Sequence, residues 1–181
     1  MIKKYLLGFI IALLLLSAPL VFYLLDLSTA PVIFGQEKVA YNLPYPGILP
    51  DHPLYFLKAV RDRLTDITTR DLIKKANVCL LYSDKRAAMS MMLLKKGKNK
   101  LAVTTFSKGE KYFLRIPELL ENSKKQGVTP SSDFIVTLKL SNEKHRELVE
   151  QLKNELPQGQ AQSTDEIFKI NQDVKDRLSR L

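Results

Sequence analysis

Few residues in this chain could perform chemistry, and none forms a recognisable catalytic or metal-binding pattern. The chain has two histidines, His52 and His145, and one cysteine, Cys79. Neither histidine has the spacing to acids or cysteine that a zinc site or a nucleophilic triad requires. Cys79 lies in an apolar run, which favours a buried small side chain over a reactive thiol. The sequence therefore predicts a protein that is not an enzyme, with no catalytic, metal-binding or cofactor-binding residues.

The charged residues around His145 have helical spacing. His145 falls near an apolar stripe between Leu138 and Leu148, which favours a boundary histidine bonded to a neighbouring side chain over a metal ligand. Glutamates at 143, 147 and 150 alternate with lysine and arginine in the same segment, so we expect an exposed charged face there. His52 is expected to be a solvated turn residue.

Composition favours one helical domain. The 181 residues are 45% hydrophobic and 26% charged, which fits one modest folded unit beyond any targeting segment. Alternating β-branched runs are scarce, and helix-forming residues dominate the later segments. We therefore expect an all-α extracytoplasmic bundle of four to five helices, preceded by a single transmembrane helix and a proline-rich strap.

The N-terminus predicts a membrane anchor. Residues 5–25 carry no charge and are long enough to cross a hydrocarbon core of about 30 Å as a helix. Lys3 and Lys4 favour a cytoplasmic location for the tail 1–4, which places the following domain outside. The alternative is a cleaved signal peptide and a secreted protein. Small residues at Ser28 and Ala30 are followed by a proline, which disfavours cleavage, although a cut near Gly35 stays open.

The rest of the chain divides at its prolines and glycines. Residues 26–53 form the proline-rich strap, and 54–156 form the bundle. The first helix, about 53–68, is expected to turn Leu57, Val60, Leu64 and Ile67 inward, with Asp51 as its N-cap. A second helix spans about 71–96 and stops at Gly97, a third opens near Asn99 and breaks at Pro117, and a fourth covers about 131–155.

The C-terminal part is expected to contain a linker and one more helix. Residues 157–163 have the composition of a flexible polar linker, and Ser163 with Glu166 forms a capping box for an amphipathic helix over 164–181. That helix is too short to be stable alone. It folds back on the bundle or pairs with another chain, and we favour the fold-back.

Small residues predict a close contact between two helices. Gly97, Ala102, Phe106 and Gly109 follow a spacing that resembles the turn and second helix of a tetratricopeptide repeat. No second copy is visible, and such arrays need several units. An antiparallel helical hairpin, with Phe106 filling the seam, is favoured over a peptide-binding array.

Two segments carry a family resemblance. "LPYPGILPDHPLYFLKAVRDRLTD" and "SDKRAAMSMMLLKKGK" resemble a family of uncharacterised bacterial proteins classed as a domain of unknown function. The resemblance covers about residues 41–115 and implies an N-terminal membrane or signal segment before a helical extracytoplasmic region. It implies no activity. The residues that carry it are Leu43, Pro44, Gly47, Pro50, Asp51, Pro53, Leu54, Tyr55, Leu57 and Lys58.

The strap is too apolar for a solvated linker. Its prolines hold the backbone in a nearly fixed path, and Gly47 supplies the turn. Leu43, Tyr45, Ile48 and Leu49 should therefore lie along the bundle. The alternative is a preformed docking surface for a protein partner. Its candidate residues are Tyr41, Tyr45, Leu49 and Tyr55.

The positive charge is concentrated. Residues 70–125 contain fourteen Lys and Arg against five acids, which accounts for the whole net charge of +9. Such a surface could bind anionic lipid headgroups, a phosphate-bearing envelope polymer or an acidic partner, or only keep the protein soluble. Nucleic acid is not expected, because no base-reading motif is present. The candidate residues are Lys95, Lys96, Lys98 and Lys100.

These patterns predict a membrane-anchored, non-catalytic interaction or envelope-associated module. The alternatives are an anion-binding module that uses the basic face of 70–125, and an enzyme whose site is completed by a partner. The oligomeric state is left open.

Overall fold

The computed structural model describes residues 38–181. The predicted tail 1–4, anchor 5–25 and first part of the strap, 26–37, lie outside these residues. Within residues 38–181 the regular elements are helices and there is no strand, which confirms the all-α class. The helices are α1 (Tyr55–Thr68), α2 (Leu72–Lys95), α3 (Asn99–Phe113), α4 (Arg115–Lys125), α5 (Ser132–Glu155), α6 (Gln158–Ala161) and α7 (Asp165–Leu178), with a 3-10 turn over Gln162–Thr164.

Local sequence signals explain most helix ends. The Asp71 carboxylate accepts a hydrogen bond from the Lys74 amide at 2.7 Å and caps α2. Gly97 follows α2 with φ +70°, a conformation that glycine adopts without strain. Pro117 has no amide proton to donate to the carbonyl of Phe113, and the break between α3 and α4 falls at Leu114.

The helical hairpin of α2 and α3 is closely packed, as predicted. Ala102 and Phe106 are fully buried in the core. A Cβ placed on Gly109 would lie 3.1 Å from the Ser83 carbonyl oxygen and 3.1 Å from the Cβ of Arg86. A side chain at position 109 would therefore be crowded against α2, and glycine avoids that crowding.

The last helix folds back on the bundle. Ile167 joins one apolar cluster with residues of α2, α3 and α5, while Val174 and Leu178 join a second cluster with residues of α2, α4 and α5. The expected linker 157–163 instead forms α6 and the 3-10 turn, and Thr164 rather than Ser163 precedes α7. Asn142 and Asn171 exchange amide-to-carbonyl hydrogen bonds that join α5 to α7.

The strap lies on the bundle. Leu43 is 1% exposed and belongs to the core cluster of α2, α3 and α5, and Leu49 is also buried. Gly47 makes the turn with φ +72°. Asp51 differs from the prediction, because α1 begins at Tyr55 after Leu54 and has no side-chain cap. The Asp51 carboxylate instead accepts hydrogen bonds from Lys96 and Lys98.

Helix α1 is rotated half a turn from the predicted orientation. Its polar residues Lys58, Asp62 and Asp66 face the bundle and are buried, whereas the apolar residues predicted to be inside face outward. Lys58 forms an ion pair with Asp62 at 3.1 Å. Arg115 of α4 donates two hydrogen bonds, of 2.9 and 3.0 Å, to the Asp66 carboxylate. The Asp66–Arg115 ion pair therefore attaches α1 to α4, while the Lys58–Asp62 pair lies within α1, and the apolar side of α1 stays exposed.

Candidate functional site

The four candidate residues of the strap are largely used by the fold. Tyr41 is partly buried and donates its hydroxyl to Oδ2 of Asp84 at 2.6 Å. Leu49 is buried, while Tyr45 and Tyr55 are half-buried. These positions support the interpretation of the strap as part of the folded domain.

The structure brings the strap and the lysines around Gly97 together. Lys96 and Lys98 lie 3.2 and 2.9 Å from Oδ2 of Asp51, and hydrogen bonds from these lysines lower the pKa of its carboxyl despite the opposing effect of desolvation. Tyr45, Leu49 and Lys96 line one shallow pocket of about 350 Å³. This pair of lysines therefore fastens the strap.

The other two candidate lysines lie apart. Lys95 and Lys100 are exposed, and Lys100 lines a polar groove of about 770 Å³ between α3 and the segment around the 3-10 turn. The four lysines thus do not converge on one ligand position.

A buried polar cluster lies at the centre of the domain. Nδ1 of His145 lies 2.6 Å from Oε1 of Glu110, and Nε2 lies 3.0 Å from Oδ1 of Asp84. The Ser141 hydroxyl donates to the same Asp84 oxygen at 2.6 Å, and Tyr41 donates to the other. We call Tyr41, Asp84, Glu110, Ser141 and His145 the central cluster.

The electrostatics of the central cluster favour a charged histidine. Burial by itself would lower the pKa of His145, but the Glu110 carboxylate and the hydrogen bonds that the ring donates to Asp84 and Glu110 outweigh burial and raise that pKa to about 9. The edges of Phe106 and Phe113 close the ring in, with centroid distances of 5.8 and 5.3 Å. His145 is fully buried, and its contacts with the two carboxylates join three helices of the bundle.

In the central cluster, the sequence pattern identified His145 as a bonded residue, assigned Tyr41 to a docking surface instead, and gave no role to Asp84, Glu110 or Ser141. The prediction that His145 bonds other side chains is confirmed, but its predicted boundary position is wrong, because His145 is fully buried between helices. Asp84 and Glu110 lie on other helices, and spacing within one helix cannot reveal that they meet. The neighbouring Lys144 was expected on an exposed face, yet it is buried beside Glu147, whose other oxygen accepts from the Val39 amide.

Within residues 38–181, the most exposed apolar surface is the outer side of α1. Its five large apolar residues occupy an arc of about 100°, because they recur three and four positions apart on the helix. Leu64 and Ile67 are 58% and 60% exposed, whereas Asp66 between them is 2% exposed. We call this set the apolar face. Its members are Phe56, Leu57, Val60, Leu64 and Ile67.

Arginines border the apolar face on both sides. Helical geometry places Arg61 next to Leu57 and Leu64, and Arg63 next to Val60 and Ile67. The Arg63 side chain is 68% exposed and lies 3.7 Å from Asp66. A solvent-exposed apolar strip with cationic edges marks an interaction surface rather than a solubilising one. Among residues 38–181, however, no helix is long and apolar enough to cross a bilayer.

Comparison with protein families decides where the chain belongs. A family model described as Domain of unknown function (DUF5667) matches residues 47–176. The chain belongs to the DUF5667 family. No curated protein and no solved structure matches it. The DUF5667 match includes α1 with its apolar face and all of the central cluster except Tyr41, which precedes it.

Proposed function

We propose that this DUF5667 protein is a non-catalytic module anchored in the cell membrane, and that its extracytoplasmic helical domain lies on the bilayer through the apolar face of α1. The observation that carries the proposal is the outward orientation of that face. The Asp66–Arg115 ion pair binds the polar side of α1 to the bundle, and within residues 38–181 Phe56, Leu64 and Ile67 are left 62%, 58% and 60% exposed.

The chemistry of α1 suits a lipid interface. Helices that lie in the headgroup region have an apolar side in the acyl boundary and cations at its edges, where they meet anionic headgroups. Arg61 and Arg63 occupy those edges. The net charge of +9 adds attraction to a negative leaflet, worth about 1 kcal/mol for each cation near the surface.

The length of the chain supports the same geometry. Twelve residues, 26–37, separate the predicted span from the first described residue. Fully extended, they reach about 40 Å. A domain held this close to a bilayer has a high effective concentration at its surface, so a weak apolar contact suffices.

Tryptophan fluorescence can test the lipid contact, because the chain contains no tryptophan. Val60 of the apolar face and Val136 of α5 are 53% and 55% exposed, which makes them a matched pair. The full chain carrying Val60→Trp or Val136→Trp is reconstituted in vesicles of phosphatidylcholine and phosphatidylglycerol. Emission maxima and quenching by brominated lipid and by acrylamide are then compared.

We expect Val60→Trp to emit at shorter wavelength and to be quenched by brominated lipid, and Val136→Trp to be quenched by acrylamide alone. If Val60→Trp emits at shorter wavelength but is not quenched by brominated lipid, the apolar face is covered by protein and not by lipid. Its occupant would then be a protein partner or a second copy of the chain. Equal acrylamide quenching of both variants would show that the apolar face is covered by neither.

A further inference from the structure

A second pocket of about 350 Å³ lies where α1 meets α2, α3 and the start of α4. Five of its six lining side chains are cations contributed by all four helices. We call it the basic pocket. It is lined by Arg63, Arg86, Lys108, Lys111, Tyr112 and Arg115.

Arg86 is the unusual member of the basic pocket. It is only 8% exposed, and its Nη1 donates to the Tyr82 carbonyl at 3.2 Å. Its guanidinium carbon lies 4.4 Å from the centroid of the Tyr112 ring. Nε is buried and has no hydrogen-bond partner among residues 38–181. A buried guanidinium donor without an acceptor is costly, and an anion in the adjoining pocket would supply the acceptor.

The local carboxylates do not neutralise the basic pocket. Asp66 accepts both hydrogen bonds from Arg115 and also faces Arg63, while Glu166 pairs with Lys111 at 3.1 Å. Within residues 38–181, no carboxylate lies within ion-pair distance of Arg86 or Lys108. Five cations therefore face two anions, and a net charge of about +3 is left at the pocket.

We infer that the basic pocket binds a phosphate group, either as inorganic phosphate or as a phosphomonoester. The guanidinium fork of Arg86 matches the spacing of phosphate oxygens, and a small rotation of its side chain brings Nε to one of them. Lys108 adds a mobile charge from the exposed side. A doubly charged anion fits the surplus of cations better than a single carboxylate does.

The basic pocket adjoins the apolar face through Arg63, which borders both. A lipid with a phosphomonoester headgroup could therefore reach the pocket while α1 lies on the bilayer. The assignment does not depend on the proposed membrane contact, because soluble phosphate would use the same residues. The experiment has one arm for each source of the phosphate group.

In the first arm, the full chain in neutral detergent micelles is titrated with inorganic phosphate, against chloride at matched ionic strength, by isothermal calorimetry. Arg86→Gln should weaken binding about tenfold and Lys108→Gln roughly threefold. Lys100→Gln is the matched control, since Lys100 is an exposed lysine on the same helix outside the pocket. Circular dichroism shows whether each variant is folded. If Arg86→Gln does not fold, the phosphate affinity of Lys108→Gln tests the pocket instead.

In the second arm, binding of inorganic phosphate to the full chain is measured in phosphatidylcholine vesicles with and without phosphatidic acid. Loss of phosphate binding when phosphatidic acid is present would assign the pocket to a lipid headgroup, and unchanged binding would assign it to a soluble phosphate. The inference is overturned if chloride and phosphate give the same heats of binding in the first arm. It is also overturned if Lys108→Gln and Lys100→Gln change the phosphate affinity equally. Neither result bears on the fluorescence of Val60→Trp.

Discussion

The two ring nitrogens of His145 lie within hydrogen-bonding distance of two carboxylates, Glu110 at 2.6 Å and Asp84 at 3.0 Å, although all three residues belong to different helices. The central cluster thus joins α2, α3 and α5 through one imidazolium. The charge state of His145 should therefore affect how the free energy of unfolding depends on pH.

Stability should fall as the pH rises through the pKa of His145. Glu110 and Asp84 overcome burial and raise this pKa to about 9, whereas a histidine in the unfolded chain titrates near about 6.5. The stabilisation is fully present below about pH 6.5 and is lost as the pH approaches about 9. The shift corresponds to roughly 3 kcal/mol. Denaturant unfolding across this range measures it.

His145→Gln is the control for the pH profile. It keeps a polar side chain in the cavity but removes the imidazole titration, so the fall in its stability between about pH 6.5 and about 9 should be smaller than in the wild type. A wild-type profile as flat as that of the variant would show that His145 does not carry the charge.

The strap should contribute to the core through Leu43. Leu43→Ala removes a side chain that is 1% exposed and should lower the free energy of unfolding by about 2 to 5 kcal/mol. Leu64→Ala removes the same atoms from the exposed apolar face and should change it by less than about 0.5 kcal/mol. Equal effects of the two substitutions in denaturant unfolding would mean that the strap is not packed on the bundle.

The close approach of α2 and α3 should not tolerate a methyl group at Gly109. A Cβ there meets the Ser83 carbonyl and the Arg86 Cβ at 3.1 Å, so Gly109→Ala should cost about 1 to 3 kcal/mol. Gly159→Ala is the control, because nothing lies within 4 Å of its Cβ position. Thermal unfolding should show a lower midpoint for Gly109→Ala alone.

The attachment of α1 should depend on Asp66. Burial acts to raise the pKa of the Asp66 carboxyl, but the hydrogen bonds from Arg115 outweigh it and lower the pKa. Asp66→Asn removes one charge of this pair and should cost about 1 to 2 kcal/mol, since the Asp66 side chain is 4% exposed but the Arg115 left behind is 37% exposed and keeps part of its hydration.

Asp173→Asn is the comparison for Asp66→Asn. Asp173 pairs with Arg177 on an exposed surface of α7, so its loss should cost less than about 1 kcal/mol. Hydrogen exchange of the α1 amides should quicken in Asp66→Asn and stay unchanged in Asp173→Asn. Unchanged α1 exchange in both variants would contradict the attachment of α1 by Asp66.

The anchor can be tested in membranes. The uncharged segment 5–25 predicts that the full chain stays in the membrane fraction after carbonate washing, with its C-terminal domain open to protease added outside the cytoplasm. A soluble form that begins near residue 31 or 36 would establish a cleaved signal peptide instead.

Local signals predicted much of the fold. Gly97, Pro117 and Pro157 marked helix ends, and the small residue Gly109 marked the seam between α2 and α3. Each of these acts through its own backbone or its immediate neighbours. Two local predictions failed: Asp51 does not cap α1, and the polar segment 157–163 forms the helical turn α6 and the 3-10 turn.

The orientation of α1 could not be predicted in this way. Periodicity places Leu64 and Ile67 on one side and Asp66 on the other, but it does not say which side meets the bundle. The partner that decides is Arg115, 49 positions away. The central cluster could not be predicted for the same reason, since Asp84 lies 61 residues before His145 in the sequence.

The way the strap joins the bundle determines where a pulling force would enter the domain. Before α1 begins, Val39 is bonded to Glu147 of α5 and Tyr41 to Asp84 of α2. Tension transmitted by the preceding residues would therefore load two hydrogen bonds on separate helices before it reached any helix end. The Asp66–Arg115 pair that attaches α1 would be spared, so α1 would keep its orientation on the bundle under load.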